Sequence, residues 1–136
     1  MTANPSSFAQ AITFLYADPA EASWSFYEEV IGLPLVQDQG TCRIYEAAAG
    51  ARAFLGVCRA RAPRATDNPR VVGGVVFTFV TDDVDGWYAR LRARGVEIPD
   101  PPSLSETYRV YHFFFRDPAG YLLEVQRFER PDWPAP

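Results

Sequence analysis

Two stretches of this chain follow one plan. "ITFLYADPAEASWSFYEEVIGLPLV" (12–36) and "VVFTFVTDDVDGWYARLRARGVEIP" (75–99) each run from a large-residue strand through an acidic turn into a helix that ends on glycine. A fixed shift of 63 places Phe14 on Phe77, Tyr16 on Phe79, Trp24 on Trp87, Gly32 on Gly95 and Leu35 on Ile98. Self-similarity at one spacing marks an internal duplication, and a duplicated unit restricts the fold more than any single motif. In the first copy Ile12, Phe14 and Tyr16 alternate as in a strand, and Ala22, Phe26 and Val30 recur at helical spacing. A helix is therefore expected from about Pro19 to Ile31, with Gly32 as a left-handed cap. In the second copy the turn is Asp82-Asp83, the helix carries Trp87 and Leu91, and Gly95 stops it.

Each copy continues in candidate strands: "LPLVQDQG", "TCRIYEA" and "RAFLGVC" in the first, "VEIP", "YRVYHFFFR" and "YLLEVQRF" in the second. The expected unit is strand, helix and three strands, made twice, within a single domain 1–136. Module one covers about 10–58 and module two about 71–128, with a linker at 59–70 and a Pro-rich tail at 129–136. The linker "RARAPRATDNPR" lacks apolar periodicity and reads as a solvated crossover, or else as an anion-binding arginine loop. Trp133 in the tail is expected to pack on the domain or on a partner subunit.

At 136 residues the chain can bury about two-thirds of the surface its unfolded form exposes, so it needs no staples. No stretch is long and apolar enough to span a bilayer, and no secretion signal is expected. The expected setting is cytoplasmic, with no membrane partner. Cys42 and Cys58 are then two free thiols filling space on adjacent strands, or one bridge. A net charge of -4 argues against nucleic acid as a partner. All 13 basic residues are arginine, which removes lysine Schiff-base chemistry. The single histidine, His112, removes any two-His metal site built within the chain.

Strands such as "YHFFF" and "VVFTFV" lack polar alternation, which suits sheets covered by helices on one face and lining a cavity on the other. Glu124 stands among Leu122, Leu123, Val125 and Phe128, so it is an ion-pair partner of an arginine such as Arg43 or Arg109, or an inward-facing group with a task. His112 either donates to a backbone carbonyl or turns toward Glu124, depending on the hairpin register. If Arg116 pairs with Tyr121 the two face apart; if Phe114 pairs with Glu124 they share a face.

The segments "SFYEEVIGLPLV", "TDDVDGWYARLRARGVEI" and "FRDPAGYLLEVQ", in this order and spacing, resemble the vicinal oxygen chelate superfamily of glyoxalases, bleomycin resistance proteins and extradiol dioxygenases. The resemblance covers residues 10–128. It implies an α+β fold of two βαβββ modules forming a half-open barrel around a cavity, and pairing into a homodimer. It also implies that Glu124, seven residues after Asp117 of the Asp-Pro-x-Gly turn, occupies a metal-ligand position of metal-dependent members. The other ligand positions fall on Ile12 (Thr13 by the gap-free repeat shift), Gly56 and Val76, none a good metal ligand. The resemblance further places Phe114, three before Asp117, toward the cavity, which favours the register that joins His112 and Glu124.

The expected function is a protein similar to bleomycin resistance proteins, binding a small hydrophobic or cationic molecule without a divalent metal or other cofactor. Its expected ligand-binding residues are Ile12, Phe14, Tyr45, Gly56, Val76, Thr78, Phe114 and Glu124. The alternatives are a lyase, isomerase or dioxygenase, metal-dependent or using Glu124 and His112 as acid and base, and an interaction module with a filled cavity.

Overall fold

The computed structural model describes residues 8–50, 52–62 and 67–135. The chain forms two compact units, Met1–Ala62 and Pro63–Pro136. The first holds β1 (Ala11–Ala17), a helix α1 (Ala20–Ser25) that widens into a π-helical segment (Phe26–Ile31), β2 (Leu35–Asp38), β3 (Cys42–Ala48) and β4 (Ala53–Arg59). The second holds α2 (Pro69–Val72), β5 (Phe77–Val80), α3 (Val84–Ala93), β6 (Ser103–Ser105), β7 (Val110–Arg116) and β8 (Leu122–Phe128). The fold is α+β, with two open four-stranded sheets ordered β1-β4-β3-β2 and β5-β8-β7-β6. In each sheet the first strand runs parallel to the fourth and the other pairs are antiparallel. The duplication expected from the sequence is thus repeated in strand order and strand direction.

Helices cover one face of each sheet. In module one Ala20, Ser23, Trp24 and Tyr27 are buried, as are Leu15, Ala17, Tyr45, Leu55 and Val57 on the strands. The Trp24 indole N–H donates to the carbonyl of Val57 at 2.8 Å, so the largest ring is pinned by its polar edge. In module two Val84 and Leu91 of α3 are buried, together with Phe113, Phe115, Leu123 and Val125. Tyr88 of α3 meets Phe113 edge to face at 5.5 Å. Each such side chain fully buried contributes about 1.5–3 kcal/mol. Because strand side chains alternate, burying the odd-numbered residues of β7 and β8 sends the even-numbered ones to the opposite face.

Four details depart from the sequence reading. First, "VEIP" forms no strand; β6 is Ser103–Ser105, beyond Pro99, Pro101 and Pro102, which lack the N–H a ladder needs. Second, the linker ends in a helical turn, where the Asn68 side chain accepts from the Arg70 amide at 3.0 Å and Pro69 takes the first helical position. Third, Cys42 and Cys58 are directly opposed on β3 and β4 and joined as a disulfide, so the free-thiol reading does not hold. Fourth, the shift of 63 fits the glycine caps, Gly32 (φ 86°) and Gly95 (φ 83°), but not the first strands. Phe14 and Gly56 form one rung of module one, and Thr78 and Glu124 the matching rung of module two. The faces of β1 and β5 therefore align with Ile12, not Thr13, opposite Val76 in the repeat, since a one-residue slip flips every side chain. Among residues 129–135 there is no helix or strand, and Trp133 stacks on Phe128 of its own module with ring centroids 3.8 Å apart.

Candidate functional site

The turn between β7 and β8 sets the site. Asp117, buried, accepts from the amides of Ala119 (3.0 Å) and Tyr121 (2.9 Å), while its own N–H donates to the Tyr121 carbonyl at 3.0 Å. This tight turn starts the ladder at Arg116 opposite Leu122. Phe114 then lies opposite Glu124, His112 opposite Gln126 and Val110 opposite Phe128. The register is the one that puts His112 and Glu124 on a common face, away from α3.

On that face Glu124 is held by two neighbours. Its Oε1 accepts from Thr78 Oγ1 at 2.8 Å, a contact set up by the parallel register of β5 and β8. Its Oε2 lies 2.5 Å from Nδ1 of His112, which sits on the adjacent rung. So short a separation between nitrogen and oxygen needs a proton between them, with Nδ1–H donating to the carboxylate. The side chains are only 13% and 12% exposed, so the contact is largely shielded from water. Nε2 of His112 has no hydrogen-bond partner among the described residues, and it is the ring atom left to meet a ligand. Phe114 packs against the imidazole edge to face at 5.0 Å.

These residues line a cleft of about 540 Å³ in module two. Val76, Val110, Phe114 and Phe128 supply apolar wall, and Tyr108 and Arg70 stand at its margin. Gln126 is 8% exposed, yet its side-chain amide makes no hydrogen bond among the described residues. The amide is not shut off from solvent, so it presents a donor and an acceptor to the cleft. The guanidinium of Arg70 lies 4.5 Å from the centroid of the Phe114 ring and forms no ion pair among the described residues.

The expected site residues divide into three groups. Val76, Thr78, His112, Phe114 and Glu124 come together in module two, all but Thr78 lining the cleft itself and Thr78 bonding Glu124. Ile12, Phe14 and Gly56 share the helix-free face of module one, where the Phe14 ring lies over Gly56 so closely that any Cβ there would collide with it. Tyr45 belongs to neither group. It is 0% exposed on the helix-covered face, its ring 6.2 Å from that of Tyr27, and it offers no hydroxyl to a ligand. Burial, with Glu28 nearby, pushes its phenol well above the usual range. Neither arginine offered as a partner for Glu124 forms an ion pair with it: Arg43 pairs with Glu28 at 2.9 Å, and the Glu124 bonds are to Thr78 and His112, not to Arg109.

Gln126, Phe128 and Val110 follow from Glu124 and His112 by steps of two, so alternation alone points to them. Arg70 had no such signal, because α2 brings it to the cleft from the linker.

The donor set does not fit a divalent metal ion. Both Glu124 oxygens already accept hydrogen bonds, Val76 brings no donor atom, and Ile12 and Gly56 have none to bring. Among the described residues no three of His, Cys, Asp and Glu converge. Such sites normally recruit three protein ligands.

The Glyoxalase/Bleomycin resistance protein/Dioxygenase superfamily is matched over residues 9–125. Among solved structures, lactoylglutathione lyase from Agrobacterium tumefaciens is 28% identical, over 96% of this chain and 100% of that one, with a TM-score of 0.70. An antibiotic binding protein from Streptomyces sp. CB03234 is 24% identical, over 92% and 98%, with a TM-score of 0.68. A glyoxalase/bleomycin resistance protein/dioxygenase from Nocardioides is 22% identical, over 100% and 91%, with a TM-score of 0.70. No curated protein matches the sequence.

Proposed function

Because the chain belongs to the Glyoxalase/Bleomycin resistance protein/Dioxygenase superfamily, we propose that it binds a small hydrophobic molecule in the module-two cleft without a metal or other cofactor. The observation that carries this reading is Gln126, a largely buried residue lining an apolar-walled cleft, whose side-chain amide makes no hydrogen bond among the described residues. A ligand that meets this amide gains hydrogen bonds in a place partly shielded from water. His112 Nε2 on the same rung supplies a second polar contact, and the four apolar residues supply most of the buried area. Calorimetric titration with a panel of hydrophobic compounds tests this. One-to-one binding that weakens in Gln126→Leu is expected, and no binding across the panel would sink the proposal.

A second reading is favoured by the 2.5 Å contact between His112 and Glu124. With Nδ1–H held by a carboxylate, Nε2 is oriented as a general base that takes a proton from a bound molecule, the charge on the ring being balanced by Glu124. Glu124 is then a positioning residue and His112 the acting one. The Agrobacterium relative is named as a lyase, which keeps this reading in view. Deuterium exchange into a bound ligand, present in wild type and lost in His112→Gln, is its signature.

The remaining parts of the proposal are a cytoplasmic setting, no nucleic-acid or membrane partner, and pairing into a homodimer. Among the described residues no helix is long and apolar enough to cross a membrane. The half-exposed row Ile12, Phe14 and Tyr16 supports pairing, and sedimentation equilibrium decides it. Thiol trapping in intact cells tests the setting, because a persistent Cys42–Cys58 bridge argues for an oxidising compartment.

A further inference from the structure

We propose that the cleft selects an aromatic molecule carrying an acidic oxygen at one end and a hydroxyl at the other, a hydroxyaryl carboxylate in chemical class. The inference rests on the binding reading above and goes beyond it by fixing the ligand's charge and length.

Charge comes first. Glu124 is the one carboxylate among the cleft-lining residues, and both its oxygens are taken, by Thr78 and by His112. A cationic ligand therefore meets a carboxylate already bonded on both oxygens and shared with His112. Arg70 stands at the margin with no ion pair among the described residues. Its guanidinium lies over the Phe114 ring at 4.5 Å, and no hydrogen bond or ion pair among the described residues occupies its N–H groups, which remain for an acceptor. A carboxylate accepts two such bonds side by side, in a geometry a lone carbonyl cannot match.

Length follows from the ladder. Phe114 and Glu124 form one rung, His112 and Gln126 the next, Val110 and Phe128 the one after. Successive rungs on one face are two residues apart, about 7 Å at about 3.4 Å per residue. An acid held by Arg70 at the Phe114 end thus leaves its ring over the floor and a para substituent at the His112 and Gln126 rung. Gln126 offers both a donor and an acceptor, and His112 Nε2 is the unengaged ring nitrogen, so a hydroxyl, itself donor and acceptor, satisfies them best. Beyond that rung Phe128, backed by the stacked Trp133, closes the far end with aromatic surface. The cleft, about 540 Å³, has room for fused rings.

The test compares three probes of one skeleton by calorimetry on the full chain: a hydroxynaphthoate, its neutral amide, and the amidinium. Each is titrated into wild type, Arg70→Gln and Gln126→Leu, with thermal melts to show that the exposed Arg70→Gln variant remains folded. The expected result is tightest binding of the acid, an affinity loss of about tenfold or more for the acid alone in Arg70→Gln, and weaker binding of acid and amide alike in Gln126→Leu. If the amide or the amidinium binds as well as the acid, or if Arg70→Gln changes nothing, the acidic ligand is overturned while the binding reading stands. If no probe binds at millimolar concentration, the hydroxyaryl acid is overturned, and the binding reading falls with it when the hydrophobic panel also fails to bind.

Discussion

Nδ1 of His112 and Oε2 of Glu124 stand 2.5 Å apart on a diagonal of the β7–β8 hairpin, joining two rungs that the ladder itself does not join. Removing the carboxylate leaves the imidazole N–H and the Thr78 hydroxyl without their acceptor in a partly buried place. Glu124→Ala should cost about 2–4 kcal/mol, whereas Glu124→Gln, which retains an acceptor oxygen, should cost about 1 kcal/mol. Urea unfolding of the two variants checks the order. Equal losses would mean that neither the retained acceptor oxygen nor the retained side-chain volume matters, leaving the carboxylate charge as the source of the stability.

Gly56 and Phe14 form a second pair whose fit is steric. A Cβ at Gly56 would collide with the Phe14 ring, which lies directly across the parallel pair. Gly56→Ala should therefore destabilise by about 1–3 kcal/mol, and adding Phe14→Leu should recover most of the loss. A double-mutant cycle measures the coupling; additive effects would rule out contact between the two positions as the cause.

Tyr45 carries a buried hydroxyl with no hydrogen bond of ordinary geometry, so Tyr45→Phe should be neutral or stabilising, by up to about 1 kcal/mol. The alkaline limb provides a second readout. Burial raises this phenol above the unfolded value of about 10. Its contribution is thus fully present below that pH and declines as pH rises toward the folded value, because the unfolded chain releases the proton first. Tyr45→Phe should flatten the fall in stability above about pH 10, measured by urea melts across the alkaline range. An unchanged slope would place the loss elsewhere.

The bridge between Cys42 and Cys58 closes a loop of sequence separation 16 next to Ile44 and Phe54. On the loop-entropy account such a closure contributes about 3 kcal/mol. Reduction should lower the melting temperature of wild type and leave that of the Cys42→Ala/Cys58→Ala double variant unmoved by reductant. A wild-type melt insensitive to reductant would show that the crosslink carries no stability.

Much of this was legible in the sequence, for a reason visible in particular residues. Repeated turn and cap residues, Asp18 and Asp82 before the helices and Gly32 and Gly95 after them, mark the two units whatever the strands do. Asp117 fixes a short turn, and with it the face of Glu124. Facing was harder where both sides of a strand carry large residues. In β3 Cys42 and Ile44 alternate with Arg43 and Tyr45, and nothing local says which pair lies under the helix, so the sequence admits Tyr45 as a cavity residue although it is buried there. The same ambiguity leaves Ile12 and Thr13 both open in β1 until the ladder is seen. Arg70 was out of reach, since its position depends on a helical turn within a segment of linker composition.

Superposing the rungs by register brings out what the duplication has left behind. Thr78 with Glu124 in module two corresponds to Phe14 with Gly56 in module one, and His112 with Gln126 corresponds to Cys42 with Cys58. One half keeps proton-bearing groups at these places; the other has a ring laid over a glycine and a covalent bond between two sulfurs. The molecule thus contains its own control experiment, a second backbone of the same topology with the reactive groups replaced by inert ones. At these rungs the difference in chemistry between the two halves lies in the side chains, because strand order and strand direction are common to both.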